Sequence, residues 1–89
     1  MSETHEIRLK RVSMRSHRRG IKEMDIILGQ FADARLAAMP VERLDLYESL
    51  LDENDHDLYQ WVSGQVAAPE LFADLIAEIA DHAASTVLG

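Results

Sequence analysis

The sequence predicts an all-α protein, a small five-helix bundle folded as a single domain over residues 1–89. Three observations predict it. Apolar residues return at spacings of three and four in successive stretches, as helices with one buried stripe require. No segment alternates apolar and polar residues over a useful length, so strands have no signal. Gly20, Pro40, Gly64 and Pro69 fall between the periodic stretches, where helices stop and start. A chain of this length buries only about 60–65 % of its unfolded surface, which predicts a thin core.

The first helix is expected over Ile7–His17, with Leu9, Val12 and Ser16 on one side and Arg8, Arg11, Arg15 and Arg18 on another. Residues 1–6 are polar and expected to fray. Gly20 ends or bends this helix. Ile21, Met24, Leu28 and Phe31, with Ile27 beside them, give the second helix, running to about Leu36 or Ala37. Gly29 inside it costs roughly 1 kcal/mol against Ala, which points to a close helix crossing. Pro40 pushes the residue before it out of the helical region and so makes a loop. The third helix, about Val41 to Asp52, carries Val41, Leu44, Tyr47 and Leu51 in register, widened by Leu46 and Leu50. The acidic run Asp52–Asp57 breaks it and supplies N-caps for a short fourth helix, Asp57–Ser63, closed by Gly64. Pro69 and Glu70 open the fifth, whose stripe is Leu71, Phe72, Leu75, Ile76, Ile79 and Ala83. Residues 85–89 are expected to fray. Trp61, with Tyr59 and Phe72, is read as core or its rim, with an aromatic docking spot as the alternative.

Charge is laid out unevenly. Residues 1–22 hold seven Arg and Lys against Glu3 and Glu6, whereas the rest hold only Arg35 and Arg43 against fourteen acids, for a net charge of −7. Such a bipolar chain favours oriented docking on a protein and disfavours a nucleic-acid polyanion. With no cysteine, a disulfide scaffold, a thiolate zinc site and a cysteine nucleophile are all excluded. No apolar run follows the first residues and none reaches 18 residues, so neither a signal peptide nor a membrane span is predicted, and a cytoplasmic location is expected.

The four histidines are scattered, read as surface residues, and form no metal-ligand spacing. The acidic run started at Asp52 fails the EF-hand pattern at positions five, six and twelve. No glycine-rich phosphate loop or nucleophile elbow occurs. The residues offer no catalytic constellation, so a non-enzyme is expected, colourless and metal-free.

One stretch looks poorly chosen for stability: Arg18-Arg19-Gly20-Ile21-Lys22-Glu23-Met24-Asp25. If the second helix extends back by one residue, Arg19 and Glu23 lie four apart and can pair. That order is the weaker one and sets a cation at the positive helix end, so it adds at most about 0.3–0.5 kcal/mol. A glycine between two arginines leaves a bare spot flanked by donors, which suits contact with an acidic or carboxylate-bearing partner. The plainer reading is a glycine stop with solvated arginines around it.

Arg18 to Leu28 resembles the R-G-x-x-E signature, followed by an acidic residue and an aliphatic run, of the SdhE-like succinate dehydrogenase assembly (flavinylation) factors. Downstream, Leu50-Leu51, Asp55-His56-Asp57-Leu58-Tyr59-Gln60-Trp61 and Gly64 resemble that family's second signature, and order and spacing agree over roughly residues 8–78. The resemblance implies a five-helix bundle that binds the flavoprotein subunit of succinate dehydrogenase or of fumarate reductase and promotes covalent FAD attachment there. It implies Arg19, Gly20 and Glu23 as the contact motif, with Arg18 and Asp25 beside it, no cofactor of its own because FAD belongs to the partner, and a monomer when free. An antitoxin-like module acting on a toxin or cytoskeletal partner is the alternative, although this acidic chain has no obvious recognition helix.

Overall fold

The computed structural model describes residues 3–86. Among them are five α-helices: α1 (His5–His17), α2 (Lys22–Arg35), α3 (Val41–Leu51), α4 (Asp55–Val62) and α5 (Ala73–Thr86). Short 3-10 turns, Leu36–Ala38 and Glu70–Phe72, follow α2 and precede α5. The all-α expectation holds. The expected fraying does not reach His5, Glu6 or Ser85, which are helical, and residues 1–2 and 87–89 lie outside the described residues. The early start of α1 has a local cause: the Thr4 hydroxyl accepts the Ile7 N–H at 3.1 Å, satisfying a donor that a helix start leaves open.

Helix α2 is the hub, packed against α1, α4 and α5. It buries Met24, Ile27, Leu28, Phe31 and Ala32, and Leu44, Tyr47, Leu50, Leu58, Leu75 and Ile79 close around them. Phe31 meets Tyr47 at a centroid distance of 5.7 Å and the edge of His82 at 5.9 Å, so His82 is half-buried and not a surface residue. Gly29 marks a close approach, as its helix position suggested. A Cβ there would stand 2.6 Å from Nδ1 of His17, whose ring lies over the glycine and reaches Asp33 at 3.0 Å.

Two residues leave the faces expected of them. Val41 is 56 % and Leu71 68 % exposed. Val41 is the first residue of α3, at the rim of the bundle. Leu71 sits in a 3-10 turn, where three residues per turn rotate the face away from the stripe that a 3.6 period assigns. Gly64 takes φ +83°, a left-handed conformation that lets its N–H reach back to the Trp61 carbonyl and end α4. Trp61 is half-buried and stacks on Phe72 at 6.3 Å, at the rim of the core.

The basic and acidic parts of the chain fold onto each other. Arg8 bonds Asp45 at 2.6 Å, Arg11 bonds Glu48 at 2.7 Å and Arg15 bonds Asp52 at 2.7 Å. Each partner lies 37 residues further along, so α1 and α3 run parallel with a ladder of ion pairs between them. Three of the seven cations of residues 1–22 are thus paired across the bundle with acids of the later part of the chain. Inside the ladder, the Ser16 hydroxyl donates to the Val12 carbonyl and lies 2.6 Å from the hydroxyl of Tyr47, with both residues fully buried.

Candidate partner-contact site

Arg18–Ile21 is the four-residue connection between α1 and α2. Ile21 is the N-cap of α2 and gives it no side-chain capping bond, so Gly20 stands before the helix and not at its first turn. The geometry that would bring Arg19 over Glu23 is absent. Arg19 turns instead toward α4, its Nε 2.7 Å from Oδ1 of Asp55 and its Nη2 3.3 Å from the Glu53 carbonyl. Its side chain is only 8 % exposed, and that of Asp55 15 %. This pair is the most sheltered of the ion pairs among the described residues.

The main chain of the turn is held by side chains. The Arg19 N–H donates to a carboxylate oxygen of Asp25, and the Gly20 N–H donates to Oδ2 of Asp55 at 2.5 Å. A Cβ on Gly20 would meet that same oxygen at 3.0 Å. A side chain on Gly20 would therefore crowd the Asp55 carboxylate inside the protein itself. Its φ is not positive, so backbone freedom is not what selects glycine here.

The five residues singled out in the sequence divide into two groups. Arg19, its side chain enclosed, and Asp25, half-buried, are engaged in the turn's own bonds. Arg18, Gly20 and Glu23 are exposed, and among the described residues no ion pair holds Arg18 or Glu23. The outer side of α1 continues this surface. Ile7, Lys10, Met14 and Arg18 line a groove of about 520 Å³, with Ile7 55 % and Met14 53 % exposed. What the surface can offer chemically is a glycine with no side chain between an outward cation and an outward carboxylate, which suits protein recognition.

Sequence reasoning missed Asp55 as part of this site. It read the acidic turn as a break, a cap and part of a second signature, without joining it to the first; the cap holds, since the Asn54 side chain accepts the His56 N–H at 2.8 Å. The available signal was the co-occurrence of two motifs: the Arg-Gly stretch and the acidic turn are one cluster in space. Among the described residues no group of three or more His, Asp or Glu could hold a metal ion. Among the described residues no helix is long and apolar enough to cross a membrane.

A family model described as flavinator of succinate dehydrogenase matches residues 10–83. The chain is 43 % identical over 68 residues to "Succinate dehydrogenase assembly factor 2, mitochondrial" of Schizosaccharomyces pombe, covering 76 % of this chain and 49 % of that protein. It is 43 % identical over 61 residues to the protein of that name from Lodderomyces elongisporus, covering 68 % of this chain and 37 % of the other. With that of Aspergillus terreus it shares 47 % identity over 60 residues, which is 67 % of this chain and 20 % of the relative. The chain therefore spans half or less of the length of these curated relatives. The matched region takes in both the Arg-Gly turn and the acidic turn that braces it, and the chain belongs to the flavinator of succinate dehydrogenase family of assembly factors.

Proposed function

We propose that this protein binds the flavoprotein subunit of succinate dehydrogenase, or of fumarate reductase, and promotes covalent attachment of FAD to it. It does so without being an enzyme and without a cofactor of its own: it binds preferentially the FAD-loaded conformation in which attachment takes place. The free protein is a monomer. It acts where the flavoprotein takes up FAD, which is the cytoplasm in our reading, whereas the curated relatives carry "mitochondrial" in their names. The observation that carries the proposal is the family match over both signature stretches, one of which presents Gly20 between exposed Arg18 and Glu23. Assembly-factor names on the relatives favour this reading over the antitoxin-like one.

Within the contact motif, Arg18, Gly20 and Glu23 meet the partner, and Arg19 and Asp25 shape the turn that presents them. The test is co-expression of a flavoprotein subunit in a host lacking its own assembly factor, with covalent flavin read as fluorescence in a denaturing gel. Fluorescence should require this chain, and affinity capture of the chain should recover the flavoprotein. Gly20→Arg should abolish both while circular dichroism retains the helical signal. Equal covalent flavin with and without the chain, and no capture, overturns the proposal.

A further inference from the structure

Asp55 is in the first turn of α4, 35 residues from Gly20, and touches the contact turn with both carboxylate oxygens. We propose that it is a positioning residue, which holds Arg19 and Gly20 in the one shape the flavoprotein binds. This rests on the function proposed above.

A four-residue connection containing a glycine has many conformations open to it, and ordering each residue costs free energy. Main-chain bonds usually hold such a turn. In this one, the N–H groups of Arg19 and Gly20 donate to Asp25 and Asp55. Asp55 does two things at once: Oδ2 takes the Gly20 N–H, and Oδ1 takes Arg19 Nε. A neutral amide cannot replace it, because one of its two polar atoms is a donor and would face a donor. A side chain at Gly20 would also crowd this bond, since a Cβ would stand 3.0 Å from Oδ2 and push the carboxylate aside. The missing Cβ and the carboxylate are thus two halves of one device. It lowers the ordering cost at the moment of binding, and losing it should weaken affinity by roughly ten- to a hundredfold.

Asp52 provides the control. It carries an ion pair of the same length, 2.7 Å to Arg15, and its side chain is 72 % exposed. An effect of lost charge alone would appear in Asp52→Asn as well. Asp55→Glu keeps the charge and the reach to Arg19, but its extra methylene cannot seat both oxygens, so it tests the geometry with the charge retained.

The experiment measures affinity of the full chain for the purified flavoprotein subunit, together with amide hydrogen exchange and thermal unfolding of the free chain. Asp55→Asn and Asp55→Glu should weaken binding ten- to a hundredfold and speed exchange at Arg19 and Gly20, with α2 and α5 core amides still protected. Asp52→Asn should bind as the wild type does. Wild-type affinity in Asp55→Glu, or weakened binding with unchanged exchange at Gly20, overturns the positioning role. Loss of protection throughout the core in both Asp55 variants also overturns it, by making Asp55 a support of the whole fold. A wild-type chain that does not bind any flavoprotein subunit refutes the proposed function itself, a result distinct from all of these.

Discussion

Gly29→Ala is expected to change sign with its background. The substitution exchanges glycine for the best helix former in the interior of α2, a gain of about 1 kcal/mol. Against this, the new Cβ would lie 2.6 Å from Nδ1 and 2.8 Å from Cε1 of His17, far inside contact distance, so the ring has to swing out. Swinging out gives up its packing over α2 and its 3.0 Å contact with Asp33. That contact joins side chains 45 % and 64 % exposed, so it contributes less than about 1 kcal/mol. The two effects nearly cancel, and Gly29→Ala in the wild type should shift stability by no more than about 0.5 kcal/mol in either direction. In a His17→Ala background nothing opposes the gain, and the same change should stabilise by about 1 kcal/mol. Urea unfolding of the four proteins at pH 7 measures the coupling, provided that the slopes agree. Equal effects of Gly29→Ala in both backgrounds would show that the His17 ring is not the reason for a glycine in α2.

Three further expectations follow from the core and the ladder. Burial pushes the Tyr47 phenol up to about 12, with the Ser16 hydrogen bond and the Arg19 charge acting in the opposite direction. A raised folded value means stability present below pH 10 and lost as pH rises through about 12, worth about 2–3 kcal/mol. In Tyr59→Phe the remaining phenolate absorbance should therefore appear near pH 12 or together with unfolding, and a midpoint near 10 refutes the burial argument. The Arg11 hydrogen bond, opposed by burial and aided by Arg8, holds the Glu48 carboxyl below the usual range. Its contribution is present above about pH 4.3 and is lost as pH falls through the lowered folded value, so Glu48→Gln should flatten acid unfolding below about pH 4.3. An unchanged acid profile would remove Glu48 from the ladder's energetics. Trp61→Ala should cost about 2 kcal/mol in thermal unfolding, below the 3–5 of a fully enclosed aromatic, because Trp61 is half-buried on Phe72. No loss would make Trp61 an exposed docking residue.

The helices were legible because their apolar spacing is local: Met24, Leu28 and Phe31 announce α2 within one window, and all three are buried. Val41 and Leu71 were misplaced where that period breaks, at a helix end and in a 3-10 turn. The contact turn was legible as an anomaly but not as an arrangement. Arg19 has an acid four residues away in the sequence, yet it pairs with one 36 residues away. Nothing local distinguishes those partners, because the choice is made by the tertiary packing that sets α4 beside α2. For the same reason the uneven charge layout did not show which acids Arg8, Arg11 and Arg15 would meet: they pair across the bundle with Asp45, Glu48 and Asp52.

The ladder between α1 and α3 resembles a ruler marked in equal divisions, which grips without saying where zero is. If α1 slid by one turn, Arg15 would stand opposite Glu48 and Arg19 opposite Asp52, and two of the three rungs would form again. The zero mark is the Ser16–Tyr47 hydrogen bond, which exists at one setting only. Slid by a turn, Tyr47 would face the level of Gly20, and its enclosed hydroxyl would lose its partner, at a cost of about 1–3 kcal/mol. Any single rung can therefore be exchanged in a redesigned or diverged sequence with little consequence. Ser16 and Tyr47 have to be exchanged together, and a chain that replaces both with apolar residues needs some other mark to keep its two helices aligned.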